Sequence, residues 1–292
     1  MSADFLCEHY LKKLSPDLHE RYRNSVFAID KLLTNYKLVF PFFTNHTFEH
    51  SSQVINYCNI LAGEENVPRL NADELYILLM GACLHDVGMG VSEHDYQIMS
   101  KNIKGLDAYV QAHPTDSIGD VTRAFHQEFS AEFIKKYRNL FEIPSDKHVF
   151  CICQVARGHR KLNLLDENEF PAHFMLDNGN EVHLPYLAGL VKLSDEMDMT
   201  ADRNLLFNYE EFDPTWQPAT VMCFKCHKAI RYLEEADDML ALCYSSEEED
   251  VCEEIASMEK KVQQIFRELE DVVRERTDFT MVHKGICYKK IP

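Results

Sequence analysis

The stretch from Leu75 to Gly90, LYILLMGACLHDVGMG, constrains this chain more than any other. Asn71 supplies a helix N-cap, and Glu74 three residues later can reach back to it. The residues that follow have no polar face, so they predict a helix buried on all sides. Gly88 and Gly90 stop it. His85 and Asp86 then lie side by side. Adjacent helical residues point about 100° apart, so both serve one site only where the helix ends. A buried imidazole and a buried carboxylate cost several kcal/mol unless they are paired or metal-bound.

The 292 residues suffice for one large core, or for a large and a small one. Hydrophobic residues at 46% and charged residues at 27% describe an ordinary globular chain. No apolar run approaches a membrane span, and the N-terminus lacks the pattern of a signal peptide, so the expected location is cytoplasmic. The 10 Cys are scattered through helix-like and strand-like segments, which predicts free thiols. A formal charge of −18 opposes diffuse binding to nucleic acid or anionic membrane. A phosphorylated ligand would have to be attracted locally.

Other segments also direct metal-capable residues into apolar stripes. His50 shares a face with Val54, Tyr57, Cys58 and Leu61, and His46 lies one turn earlier. Asp120 can cap a helix on which His126 aligns with Phe129, Phe133 and Tyr137, with Arg123 one turn before. A helix from Pro144, Ser145 and Asp146 ends at Gly158, and His159 follows it, flanked by Arg157, Arg160 and Lys161. On a helix opened by Pro185, Asp195 continues the stripe of Leu187 and Val191, with Lys192 and Asp198 a turn away on either side. A second HD dipeptide, His94 and Asp95, sits in a polar connection with no buried helix leading into it and is set aside. One buried His is ordinary packing, whereas five segments converging on metal-capable side chains point to a metal centre. Four imidazoles with two carboxylates suit Mn, Fe, Co or Zn better than Ca or Mg.

From Leu206 the pattern changes. Thr220–Ile230, Met239–Tyr244 and Phe279–Ile291 predict three strands, and an apolar seam from Val251 to Val272 predicts one long helix laid over them. The expected organisation is a helical domain over residues 1–205 and a small α+β segment over 206–292. Cys223-Phe-Lys-Cys226-His227 spells CxxCH inside one of those expected strands. No second CxxC follows, so it is read as incidental.

The order H, HD, H, H, D resembles the HD superfamily of metal-dependent phosphohydrolases, in wording as well as spacing: EHSSQV, LLMGACLHDVGMG, RAFHQEFSAEFI, ARGHR and LVKLSDEMDMTADR. Together these motifs look like its HD-CE subgroup, whose members carry an appended α+β segment. The resemblance implies a mostly α fold, an HD-type helical bundle with that appendage. It implies that His50, His85, Asp86 and Asp195 hold one divalent metal. His126 and His159 would hold a second, bridged by Asp86. Asp86 and His85 would be central to catalysis, with metal-bound water attacking a phosphomonoester or phosphodiester of a nucleotide-like substrate. His46, Arg123, Arg157, Arg160, Lys161, Lys192 and Arg203 are the candidates to contact that substrate. A second copy of the chain, or the Hsp90-like ATPase region often joined to this subgroup, is the implied protein partner. Cyclic-dinucleotide phosphodiesterases of the superfamily commonly have Lys where this chain has Met89, and paired His where it has His159-Arg160, so that substrate is not assigned. The alternatives are a nucleotide-sensing module without turnover and a di-iron oxygenase built on the same ligands.

Overall fold

The computed structural model describes residues 5–40, 44–201 and 218–292, and it is mostly helical with a small C-terminal sheet. In chain order the helices are α1 (Leu6–Leu14), α2 (Pro16–Leu33), α3 (Tyr36–Val39), α4 (Phe48–Asn66), α5 (Ala72–Leu84), α6 (Glu93–Met99), α7 (Leu106–Ala112), α8 (Ile118–Lys136), α9 (Asp146–Gly158), α10 (Leu184–Met197), α11 (Pro218–Ala229) and α12 (Glu249–Arg276). Strands β1 (Phe174–Met175) and β2 (Glu181–Val182) form a short hairpin. Strands β3 (Ile230–Ala236), β4 (Met239–Tyr244) and β5 (Gly285–Lys290) form the sheet, antiparallel between β3 and β4 and parallel between β4 and β5.

The apolar helix is the axis of the bundle. Every residue of α5 from Asp73 to Leu84 is buried, and α1, α2, α4, α9 and α10 pack around it. Its capping box is complete: the Asn71 side chain accepts from the Asp73 and Glu74 amides, and the Glu74 carboxylate accepts from the Asn71 amide. Gly81 lets α9 approach, since a Cβ there would strike Val155. The apolar seam of α12 buries Val251, Ile255, Val262, Ile265, Phe266, Leu269, Val272 and Val273, and the helix packs along α10 and beside β5. Among the described residues no single helix is long and apolar enough to cross a membrane. Only the bent pair Ala72–Gly90 and Glu93–Asn102, at 108°, reaches that composition, and its first half is the buried α5. All ten cysteines are free.

Two expectations change. The segment expected to be a strand from Thr220 is helix α11, and the strand begins only at Ile230. Its β-branched and aromatic residues misled because a helix with one buried side accepts Phe224, Cys226 and His227 equally well. The cap of α8 is Ser117, whose hydroxyl accepts from the Asp120 amide; Asp120 is the reciprocal member of the box. The polar connection after Gly90 holds two short helices, α6 and α7. The expected boundary at 205/206 lies outside the described residues.

The two acids at the start of α5 tie the bundle to the hairpin. Asp73 accepts from His148 Nε2 at 2.8 Å and from the amides of Asn178 and Asn180 at 2.9 and 2.7 Å. Burial alone would raise its pKa, but these three donors outweigh burial and hold it down, at about 2. A depressed carboxylate contributes stability that is complete above its unfolded value of about 3.9 and is lost as pH falls through the folded value. We expect Asp73→Asn to lower unfolding stability at pH 7 by on the order of 1 kcal/mol. In urea titrations the gap to wild type should narrow between pH 5 and pH 2, and a gap that stays constant with pH would refute this account.

Candidate metal centre

His85 and Asp86 sit where α5 ends. His85 is the C-cap residue of α5, and a single 3₁₀ turn over Val87–Gly90 follows. The backbone there is held from α8: Ser130 donates its hydroxyl to the His85 carbonyl at 2.7 Å and accepts from the Gly88 amide at 2.9 Å. Gly88 is required by this approach, because a Cβ would overlap the His126 carbonyl and the Ser130 amide. With the helix broken at this point, both side chains of the dipeptide turn into one site, and both are buried.

Four other elements supply the remaining donors. His50 comes from the first turn of α4, His126 from α8 immediately after its non-helical residue Phe125, His159 from the C-cap of α9, and Asp195 from the last turn of α10. Donor atoms of His50, His85, Asp86 and Asp195 lie within 4.8 Å of one another, as do those of Asp86, His126 and His159. Asp86 belongs to both groups. Its Oδ2 lies 3.2 Å from His85 Nε2 and 3.6 Å from His50 Nε2, while its Oδ1 lies 3.4 Å from His126 Nε2 and 3.7 Å from His159 Nε2. Asp195 Oδ1 closes the first group at 3.2 Å from His50 Nε2.

The tautomers are fixed by hydrogen bonds on the far side of each ring. His85 Nδ1–H donates to the Ala82 carbonyl and His126 Nδ1–H to the Arg123 carbonyl, each at 2.8 Å; His159 Nδ1–H donates to the Ala156 carbonyl. Each acceptor is the carbonyl three residues back in the same helix. His50, in a first turn, instead donates its Nδ1–H to Asp198 Oδ2 at 2.6 Å. In the neutral rings all four Nε2 atoms therefore carry lone pairs. Yet His50 Nε2 faces His85 Nε2 at 3.1 Å, and His126 Nε2 faces His159 Nε2 at 2.8 Å. Lone pairs so close repel unless a proton or a metal ion satisfies them, and the donor set fits a divalent transition metal.

Electrostatics agree. Burial opposes charge on both carboxylates, but the surrounding imidazoles outweigh it and hold Asp86 and Asp195 well below the usual carboxylate range. Burial likewise disfavours a proton on His85, and the two carboxylates overcome it, raising that pKa well above the histidine norm. At His159 burial wins, aided by His126 and His85, and the pKa falls to about 3. The centre thus calls for positive charge at its carboxylate-rich end and presents a neutral ligand at the other.

A cavity of about 310 Å³ opens onto these residues, and Asp86, His126 and Asp195 form part of its wall. His46, Arg123 and Arg160 also line it; His46 donates its Nδ1–H to the Thr44 carbonyl at 2.7 Å, and its Nε2 lies 3.8 Å from Asp86 Oδ2. The other expected substrate contacts are elsewhere. Arg157 is held by Glu128, Glu169 and Gln154, Lys192 is paired with Glu268 at 2.8 Å, and Lys161 is exposed and does not line the cavity. Arg203 lies outside the described residues. Asp95 of the second HD dipeptide is paired with Lys136 and Tyr137. Sequence reasoning passed over Asp198 as a partner of His50, though its place three residues after Asp195 on a helix was the available signal. It also missed α11, which brings Cys223, Phe224 and His227 to the cavity.

The HD-CE family model matches residues 40–276, which takes in all six candidate ligands and most of the C-terminal segment. This chain belongs to the HD-CE family. No curated protein and no solved structure gives a significant match to it. In this HD-CE protein the Asp198–His50 bond is the one tautomer lock made by a side chain, and so the one that can be removed without touching a ligand. We expect Asp198→Ala to weaken metal binding about 10- to 100-fold in competition with a chelator. An unchanged affinity would show that His50 needs no such partner.

Proposed function

We propose that this HD-CE protein is a metal-dependent phosphohydrolase acting on a phosphomonoester or phosphodiester of a nucleotide-like substrate. The observation that carries this reading is Asp86, whose two oxygens face two different histidine pairs, as a carboxylate shared by two metal positions must. The group held by His50, His85, Asp86, Asp195, His126 and His159, one or two ions of Mn, Fe, Co or Zn, would supply Lewis acidity towards phosphoryl oxygens and a water of lowered pKa.

The chain's own residues account for binding and orientation. Arg123 and Arg160 stand at the cavity wall, and guanidinium forks match phosphate oxygens in pairs. On a chain of formal charge −18 they provide the local attraction that an anionic substrate needs. Met199 and Phe224 give the same cavity an apolar side suited to a flat ring. His46, its Nδ1–H engaged by Thr44, presents Nε2 as a proton acceptor beside Asp86.

We expect metal-dependent release of phosphate or a nucleotide product that falls to background in His85→Ala and in Asp86→Ala. Arg160→Ala should raise KM by roughly 10- to 100-fold, the loss of a charge-assisted contact worth about 1.5–3 kcal/mol. Absence of turnover across a broad panel of phosphate esters and nucleotides with Mn or Fe would sink this reading. Oxygen consumption by the reduced, iron-loaded protein would replace it with oxygenase chemistry, and ligand-induced stabilisation without product would replace it with a sensing role.

A further inference from the structure

A second set of metal-capable side chains lies on the β1–β2 hairpin. One donor atom from each of His173, Glu181 and His183 lies within 4.8 Å of the other two. The register explains why. Phe174 pairs with Val182, so His173 stands opposite His183, and Glu181, two residues before His183, shares the same face. His173 Nδ1 contacts Glu181 Oε1, and the rings of His173 and His183 meet edge to face with centroids 5.8 Å apart.

One of these histidines is oriented by a buried acid. Glu74 is 1% exposed, and its Oε1 accepts both the His183 amide at 3.1 Å and His183 Nδ1–H at 2.7 Å. The carboxylate fixes the tautomer and leaves Nε2 as a lone pair, the same arrangement that orients histidines around bound metals. Glu74 is itself fixed by the capping box of α5, so the ring is positioned by the core.

We propose that His173, Glu181 and His183 form a second divalent transition-metal site, of the two-histidine, one-carboxylate type. Two nitrogen donors select zinc or its neighbours over calcium or magnesium, and three protein ligands leave one position open. The site is distinct from the HD centre. His183 is the N-cap residue of α10, whose last turn carries Asp195 twelve residues or about 18 Å on, and Glu74 precedes His85 by eleven residues, about 16 Å. An ion there would fasten the hairpin to the starts of α5 and α10, the two helices whose far ends carry HD ligands.

The test is zinc stoichiometry of the chelator-stripped full chain after desalting, with thermal stability followed alongside. Wild type should bind one equivalent more than either His173→Ala or Glu181→Gln, an exposed and a half-exposed position whose replacement leaves the core intact. Cobalt loaded in place of zinc should lose the corresponding part of its visible absorption in both variants. Asp195→Ala, altered only at the HD centre, should keep the zinc-induced stabilisation that Glu181→Gln loses. Equal stoichiometry in wild type and both hairpin variants would overturn the proposal, whatever hydrolysis assays report for the HD centre.

Discussion

Two pairs of imidazole nitrogens that face each other with lone pairs are the constraint on which the centre depends. Each ring's outer nitrogen is committed to an acceptor, so no proton is available on the inner one of a neutral ring to relieve the repulsion. Such an arrangement calls for positive charge, supplied either by a proton on His85, whose pKa the two carboxylates raise, or by a metal ion in reach of the nitrogens. Around it the protein places carboxylates at van der Waals range, and Asp86 reaches both pairs at once.

The means of fixing those tautomers is built from ordinary helix physics. The last carbonyls of a helix lack amide partners, and a break inside a helix disturbs its ladder in the same way. His85 and His159 stand at helix C-caps and His126 follows a break, and each uses the carbonyl three residues behind it. His50 stands at a helix start, where the spare backbone groups are donors, and its Nδ1–H goes instead to the carboxylate of Asp198. The centre therefore rests on where helices end, which in turn rests on Gly88, Gly158, the packing of α9 against α5 and that of α8 against the 3₁₀ turn that follows α5.

Burial of α5 makes this precision affordable. A helix apolar all round has no stable place except the middle of a bundle, and of the helices packed on it α4, α9 and α10 carry a ligand each to the site at its C-terminal end. Its N-terminal end is tied down separately by Asp73 and Glu74 to His148, the hairpin and His183. Negative charge at that end also suits the helix dipole.

Much of this was legible in the chain itself. The buried helix, its Asn71 cap, the apolar stripes carrying His50, His126 and Asp195, and the positions of His85 and His159 at helix ends follow from local periodicity and capping chemistry, which depend on near neighbours. The same reasoning failed for Thr220–Ala229, where β-like residues form α11, because a one-sided buried helix and a strand tolerate the same side chains. It also could not sort the cations: Arg123 and Arg160 reach the cavity, whereas Arg157 and Lys192 are taken by acids far along the chain, Glu128, Glu169 and Glu268. Sequence by itself determined which residues had to be buried and which helices would carry them. Tertiary structure alone decided that Asp86 faces both histidine pairs, that Asp198 orients His50, and that the hairpin sets His173 against His183, because each depends on the angle at which separate elements meet.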